Sequence, residues 1–274
     1  MNLFLVGVGN MGAAIGQAFL KAKPSLFKSM QIFDSSVEKC AALAKKGAIV
    51  VDSIKKAKLD AKTVVLVAVK PQDIVNVLEE LEQKMPKESL LISIAAGISL
   101  KQLKKFSGHQ AIVRVMPNTP ALIGCGASAW VASSGVTIAQ KHTVQAMLEA
   151  FGLAIEVSSE EAIDAVTALS GSGPAYVFYF LEALIFGGQK LGLSVEQSRL
   201  LAIQTVLGSA QLAKQRALNL EELQILRANV TSKGGTTEKA INFFEEKNFK
   251  EIIEKAMEAA FKRAKELSVA MKKN

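Results

Sequence analysis

Three features of the sequence predict a doubly wound α/β sheet followed by an all-helical domain. Short apolar runs alternate with helical stretches through about the first 155 residues, the pattern of parallel strands joined by crossover helices. The first apolar run passes directly into Gly7-Val8-Gly9-Asn10-Met11-Gly12 and then a helix. After Ser158-Ser159 the strand signal stops. The predicted division is therefore residues 1–158, a Rossmann-like dinucleotide-binding domain, and residues 159–274, an all-α domain.

Asn2–Val6 is the first strand, and Ala13–Ala22 a helix with Ile15, Ala18 and Phe19 on one face. In the G-x-G-x-x-G turn between them, the first glycine makes the tight turn. The second lets a pyrophosphate approach, and the third lets helix pack on strand. Gly7, Val8, Gly9, Asn10, Met11 and Gly12 are thus candidate cofactor contacts. Met30–Phe33 is a second strand, ending in Asp34-Ser35-Ser36. Asp34 lies 22 residues after Gly12, near the spacing of the residue that contacts the adenosine ribose. A carboxylate there accepts from the 2′-hydroxyl of NAD and repels the 2′-phosphate of NADP. Ser35, Ser36 and Lys39 favour the opposite choice, since all can donate to that phosphate. Asp34 also reads as a helix cap, so the choice between NADH and NADPH stays open.

Val37–Lys46 is helical and Ala48–Val51 strand-like. Thr63–Val69 is a β-branched run typical of a strand buried on both faces. It ends at Lys70-Pro71, where ligands lie in open α/β sheets. Lys70 is placed to meet a cofactor there, although it reads equally as an exposed loop lysine. A helix over Asp73–Lys84 precedes the strand Leu90–Ile94. That strand runs into Ala95-Ala96-Gly97, whose small side chains let a flat ligand lie against the backbone. Ala111–Met116 leads into Pro117-Asn118-Thr119-Pro120, predicted as a stiff loop without helix. Asn118 there is a candidate wall of a nicotinamide pocket, or part of a rigid connector. A strand at Ala127–Ala132, a helix at Val136–Ala150 and a strand at Ala154–Val157 complete this half.

The second half opens with a helix over Glu160–Leu169, which Ser170-Gly171-Ser172-Gly173-Pro174 is expected to break. Pro174 suits the first turn of the next helix, Ala175–Leu191, which is apolar almost all round. About 115 residues can hardly cover such a helix, so it points to a subunit interface. Helices follow over Glu196–Gln215, Asn219–Arg227, Glu238–Glu246 and Phe249–Met271.

Before Glu238 lies Asn229-Val230-Thr231-Ser232-Lys233-Gly234-Gly235-Thr236-Thr237. Consecutive backbone N–H groups in such a glycine turn can form an anion nest, and the following helix dipole adds to it. A small carboxylate fits there beside a threonine hydroxyl. A plain Ser/Thr helix cap is the competing reading.

Composition excludes several classes. The net charge of +8 is spread among helix-face lysines without an aromatic or arginine-rich stripe, so no nucleic-acid partner is expected. Two cysteines and two histidines without ligand spacing predict no metal site and disfavour a His-containing hydrolase triad. The N-terminus enters the glycine loop at once and does not read as a signal peptide. The apolar stretches are too short or carry Glu182. A cytoplasmic protein that does not engage a membrane is expected.

Several segments in one order resemble the pyrroline-5-carboxylate reductase family. These are the Gly7–Gly12 turn, Val69-Lys70-Pro71, Ala95-Ala96-Gly97, Met116–Pro120, Ala168–Tyr176 and Thr231–Thr237. The resemblance spans the whole chain. It implies NAD(P)H-dependent reduction of Δ1-pyrroline-5-carboxylate to L-proline, and a homodimer made by the helical half, often assembled into a decamer. It implies that Ser232, Gly234, Gly235, Thr236 and Thr237 bind the substrate carboxylate and that Thr237 hydrogen-bonds the ring nitrogen. Asn229 and Glu160 would lie near substrate and nicotinamide, and Val69, Lys70, Pro71, Ala95 and Ala96 would line the cofactor. Lys233 departs from the family's proline in this turn, making it less rigid and adding a charge. Two other readings stay open: a related reductase acting on another keto, hydroxy or imino acid, with Lys190 as its nearest general acid, and a nucleotide-binding protein without turnover.

Overall fold

Strand β1 (Asn2–Val6) lies between β2 (Ser29–Phe33) and β4 (Thr63–Val67), parallel to both. Beyond β2 lies the short β3 (Ile49–Val50). Beyond β4 follow β5 (Leu90–Ser93), β6 (Ile112–Met116), β7 (Gly126–Ala132) and β8 (Gly152–Glu156). The eight-stranded order is β3-β2-β1-β4-β5-β6-β7-β8. This computed structural model describes residues 1–22 and 26–270, so the expected helix end at Met271 and the domain end at Asn274 lie outside them.

The near-continuous apolar strands follow from burial on both faces. Successive side chains of a strand point to opposite sides. Leu3 and Leu5 join Val64, Leu66, Leu90 and Ile92 in one core. Phe4 and Val6 join Val65, Val67 and Leu91 in the other. Helices α1 (Asn10–Lys21), α2 (Val37–Ala44), α3 (Ile74–Glu82) and α5 (Ile138–Glu149) turn their apolar stripes onto these cores.

Three local expectations are corrected. Helix α4 (Leu100–Ser107) was not among the predicted elements; Ser99 and Gln102 start it with a reciprocal capping box. The segment after β6 is not free of helix: Thr119–Ile123 forms a 3-10 turn. That short connection returns β7 antiparallel to β6, because a parallel crossover needs a dozen residues or more. Ser170–Pro174 does not break the chain's helix. Helix α6 (Glu160–Val166) widens into a π turn over Thr167–Gly171 and continues as α7 (Gly173–Lys190). The Ser172 N–H donates to the Thr167 carbonyl at 2.8 Å, the i to i+5 bond of that turn.

The remaining elements are α8 (Val195–Arg216), α9 (Leu220–Asn229), α10 (Thr236–Glu246) and α11 (Phe249–Ala270). By packing, Met1–Pro174 and the chain from Ala259 form one compact unit, and Ala175–Glu258 another. The boundary expected at 158/159 falls between β8 and α6.

Candidate active site

The strand order reverses between β1 and β4, the switch point at which open α/β sheets bind ligands. The glycines behave differently there. Gly7 has φ +95°, and a Cβ on it would stand 2.7 Å from the Ala68 carbonyl carbon. Only glycine lets the loops after β1 and β4 approach this closely. A Cβ on Gly12 would stand 2.1 Å from the Gly7 carbonyl oxygen, so the third glycine lets α1 pack on the turn. A Cβ on Gly9 would meet nothing within 4 Å. The second glycine thus faces open space, as a cradle for a pyrophosphate requires. No side chain caps α1, and its first turn carries no acidic residue.

A cleft of about 380 Å³ opens here, lined by Gly7, Gly9, Asp34, Ser35, Lys39 and Lys70 among others. Val69 also lines it, whereas Pro71 starts the 3-10 turn Pro71–Asp73. Val8 and Gly12 are buried, Met11 is half-buried and Asn10 is exposed. Asp34 follows β2 directly. Its Oδ2 accepts from the Val8 N–H at 2.7 Å, and its Oδ1 from the Ser36 N–H at 2.9 Å and Lys39 Nζ at 3.3 Å. Burial, the largest single influence, pushes this carboxyl up. The backbone donors of Ser36 and Val8 and the Lys39 ammonium together outweigh it, holding Asp34 below the usual aspartate range.

Ala95 is buried after β5, and its N–H donates to Ser93 Oγ at 3.3 Å; Ala96 is exposed. Asn118 follows β6 and is buried. Its Oδ1 accepts from the Ala127 N–H at 2.8 Å, and its Nδ2 donates to the Ser170 carbonyl at 3.1 Å, tying the post-β6 loop to the π turn.

Glu160 begins α6. Its Oε1 accepts from the Leu100 N–H at 2.8 Å and from Arg114 Nη1 at 3.0 Å. Arg114 Nη2 also donates to Asp164 Oδ1 at 3.2 Å. Among the described residues no protein donor reaches Glu160 Oε2. By sequence alone Arg114 is simply a residue of the strand Ala111–Met116. The available signal was a lone arginine within a buried apolar run, with two acids four residues apart on a later helix.

In the second unit, Gly234 has φ +73° and Gly235 is the N-cap of α10. The Gly235 N–H donates to the Ser232 carbonyl at 3.0 Å. The Gly234 N–H donates to Glu238 Oε2 at 2.8 Å, so this turn already holds a carboxylate of its own chain. Asn229 ends α9, and Thr236 and Thr237 are the first residues of α10. Asn229, Ser232, Lys233, Gly234 and Thr236 are exposed; Gly235 and Thr237 are half-buried.

The helical half leaves apolar surface uncovered. In the single chain Phe178, Tyr179 and Phe186 of α7 are 58%, 76% and 62% exposed. The helix over Glu160–Lys190 is long and apolar enough to cross a membrane by length and composition alone. Lys190, at its end, lies over the Phe186 ring at 5.3 Å. Among the described residues no group of three His, Cys, Asp or Glu side chains is placed to hold a metal ion.

A mostly parallel sheet with a glycine cradle at its switch point, followed by a helical half, defines an NAD(P)-dependent oxidoreductase. Residues 3–97 match the family described as "NADP oxidoreductase coenzyme F420-dependent". Residues 160–267 match "Pyrroline-5-carboxylate reductase dimerisation". The pyrroline-5-carboxylate reductase of Pseudomonas aeruginosa is 42% identical over 97% of both chains. A solved pyrroline-5-carboxylate reductase from Coxiella burnetii is 38% identical, with a TM-score of 0.89 over 97% of this chain and 98% of that one. A Plasmodium falciparum pyrroline carboxylate reductase solved with NADP bound is 31% identical, with a TM-score of 0.84 over 98% of both. The chain belongs to the pyrroline-5-carboxylate reductase family, and it is a homo-oligomeric oxidoreductase.

Proposed function

We infer that this chain catalyses the reaction of its family, the reduction of Δ1-pyrroline-5-carboxylate to L-proline with NAD(P)H. The observation that carries this is the glycine turn heading α10, in a chain whose first unit holds a dinucleotide cradle. Gly7, Val8, Gly9, Asn10, Met11 and Gly12 hold the pyrophosphate, and Asp34 and Ser35 lie at the ribose end. Val69, Lys70, Pro71, Ala95, Ala96 and Asn118 line the rest of the cofactor path. When bound, the reduced nicotinamide supplies the hydride.

The chain's own residues position and protonate. The substrate carboxylate is taken by the backbone of Ser232–Thr237, where a carboxylate already hydrogen-bonds Gly234. This anchoring fixes which ring carbon faces the cofactor. Thr237 holds the ring nitrogen through its hydroxyl, so the proton stays on nitrogen while the carbon is reduced. The family resemblance supports roles near substrate and nicotinamide for Asn229 and Glu160. Glu160 keeps Oε2 for a ligand while Oε1 is held by Arg114 and Leu100.

Residues 1–158 serve as the cofactor domain and 159–274 as the substrate and assembly domain. The uncovered face of α7 supports a homodimer through the helical half, and the family resemblance supports a decamer built from such dimers. We read the enzyme as cytoplasmic, with a small-molecule substrate and no nucleic-acid or membrane partner. The test is spectrophotometric: purified protein oxidises NADPH or NADH when Δ1-pyrroline-5-carboxylate is added. Dinucleotide binding without oxidation would overturn the assignment.

A further inference from the structure

We propose that Asp34 is a positioning residue for the glycine loop rather than a reader of the ribose, and that the dinucleotide taken here is the 2′-phosphorylated one, NADPH. The proposal rests on the cleft after β1 and β4 being the cofactor site.

A carboxylate offers about four acceptor positions. Three of those on Asp34 are used by the protein: Val8 N–H on Oδ2, and Ser36 N–H with Lys39 Nζ on Oδ1. The side chain is only 9% exposed. Gripping a ribose diol takes an accepting position on each oxygen, and Oδ1 has none left. What Asp34 does hold is the turn itself. Val8 lies between Gly7 and Gly9, so the 2.7 Å bond to its N–H ties the loop after β1 to the end of β2. The orientation of the Gly9 cradle is thereby set from a residue outside the motif.

The same bonds remove the usual objection to a 2′-phosphate. Two backbone dipoles and one ammonium compensate the Asp34 charge. Lys39 is 52% exposed and uses one of its three N–H donors on Asp34. The exposed Ser35 and the exposed Lys70 line the same cleft. A phosphate dianion there meets two lysines and a hydroxyl beside an Asp34 whose charge is already compensated; the exposed Asp73, on the turn after β4, lines the cleft as well.

The test is steady-state kinetics of the assembled enzyme with each dinucleotide, with binding followed separately by reduced-nicotinamide fluorescence. The wild type gives kcat/KM at least about tenfold higher with NADPH, the scale of one hydrogen bond to a charged group. Lys39→Gln lowers that ratio by about tenfold. Asp34→Asn raises KM for both dinucleotides by the same factor, leaves kcat far less affected, and holds the ratio within about twofold. Three results would overturn the proposal: a wild type that prefers NADH, an Asp34→Asn variant whose preference shifts toward NADPH, or one whose melting temperature falls while neither KM changes. Those leave the cofactor site standing. Failure of either dinucleotide to bind the wild type removes the site and the proposal together.

Discussion

Arg114 Nη1 lies 3.0 Å from Glu160 Oε1 across 46 residues of sequence, with the arginine side chain only 5% exposed. Together with the Asp164 contact, this pair fastens the start of α6 to the middle of β6. Replacing Arg114 with Met leaves two carboxylates without their partner. Removing one member of a buried ionic cluster costs about 3–5 kcal/mol. Arg114→Met is expected to unfold at correspondingly lower urea at one fixed protein concentration, and Asp164→Asn in the same chain should recover part of the loss.

Two glycines of one motif should fail differently. At Gly7 an alanine meets positive φ and the Ala68 backbone. Gly7→Ala should lose at least about 1 kcal/mol of stability and bind dinucleotide poorly. At Gly9 an alanine meets no protein atom. Gly9→Ala should melt like the wild type while its KM for the dinucleotide rises, because the methyl fills the cradle. Equal melting temperatures for the two variants would contradict this division.

Thr237→Ala tests the proposed contact with the ring nitrogen. Assistance to a proton at the reacting group is typically worth about 10²-fold. The variant should lose kcat on that scale while its dinucleotide affinity, measured by fluorescence titration, holds. An unchanged kcat would remove Thr237 from the mechanism.

The apolar face of α7 gives a prediction about assembly. Exposed apolar surface of this size marks an interaction site. Phe186→Glu places a charge in it and should convert the wild-type oligomer to single chains in sedimentation velocity. A variant that sediments like the wild type would place the interface elsewhere.

Asp34 carries a pH dependence whose sign is fixed. Its folded pKa is below the unfolded value of about 3.9, so the folded state releases this proton more readily. Its stabilisation is complete well above about pH 4 and is lost as pH falls through that value toward the folded pKa. The difference in unfolding free energy between the wild type and Asp34→Asn should be largest near neutrality. It should shrink as pH falls below about 4. A gap that widens with acid would reverse the assignment.

The sheet was legible because burial on both faces leaves runs such as Thr63–Val67 almost free of polar residues. The glycine turn was legible because Gly7 and Gly12 answer steric demands of the fold, while Gly9 leaves the cradle open. Helix α4 went unread because its lysines and short length hide an apolar stripe at Leu100, Leu103 and Phe106. The Ser99/Gln102 capping box was its available signal. The π turn was misread because Gly171 and Gly173 look like helix breakers, whereas the backbone widens and keeps its bonds. Asp34 was placed correctly at the end of β2, yet its bonds to Val8 and Lys39 depend on how two loops meet, which spacing does not reveal.

The proposed reaction is hydride delivery to an imine carbon of a substrate held by its carboxylate. We would supply NADPH deuterated at the transferable position together with Δ1-pyrroline-5-carboxylate and examine the product by NMR. One L-proline is expected per dinucleotide oxidised, with deuterium on the ring carbon next to nitrogen and remote from the carboxylate. Dinucleotide oxidation without labelled proline, or proline labelled elsewhere, would contradict it.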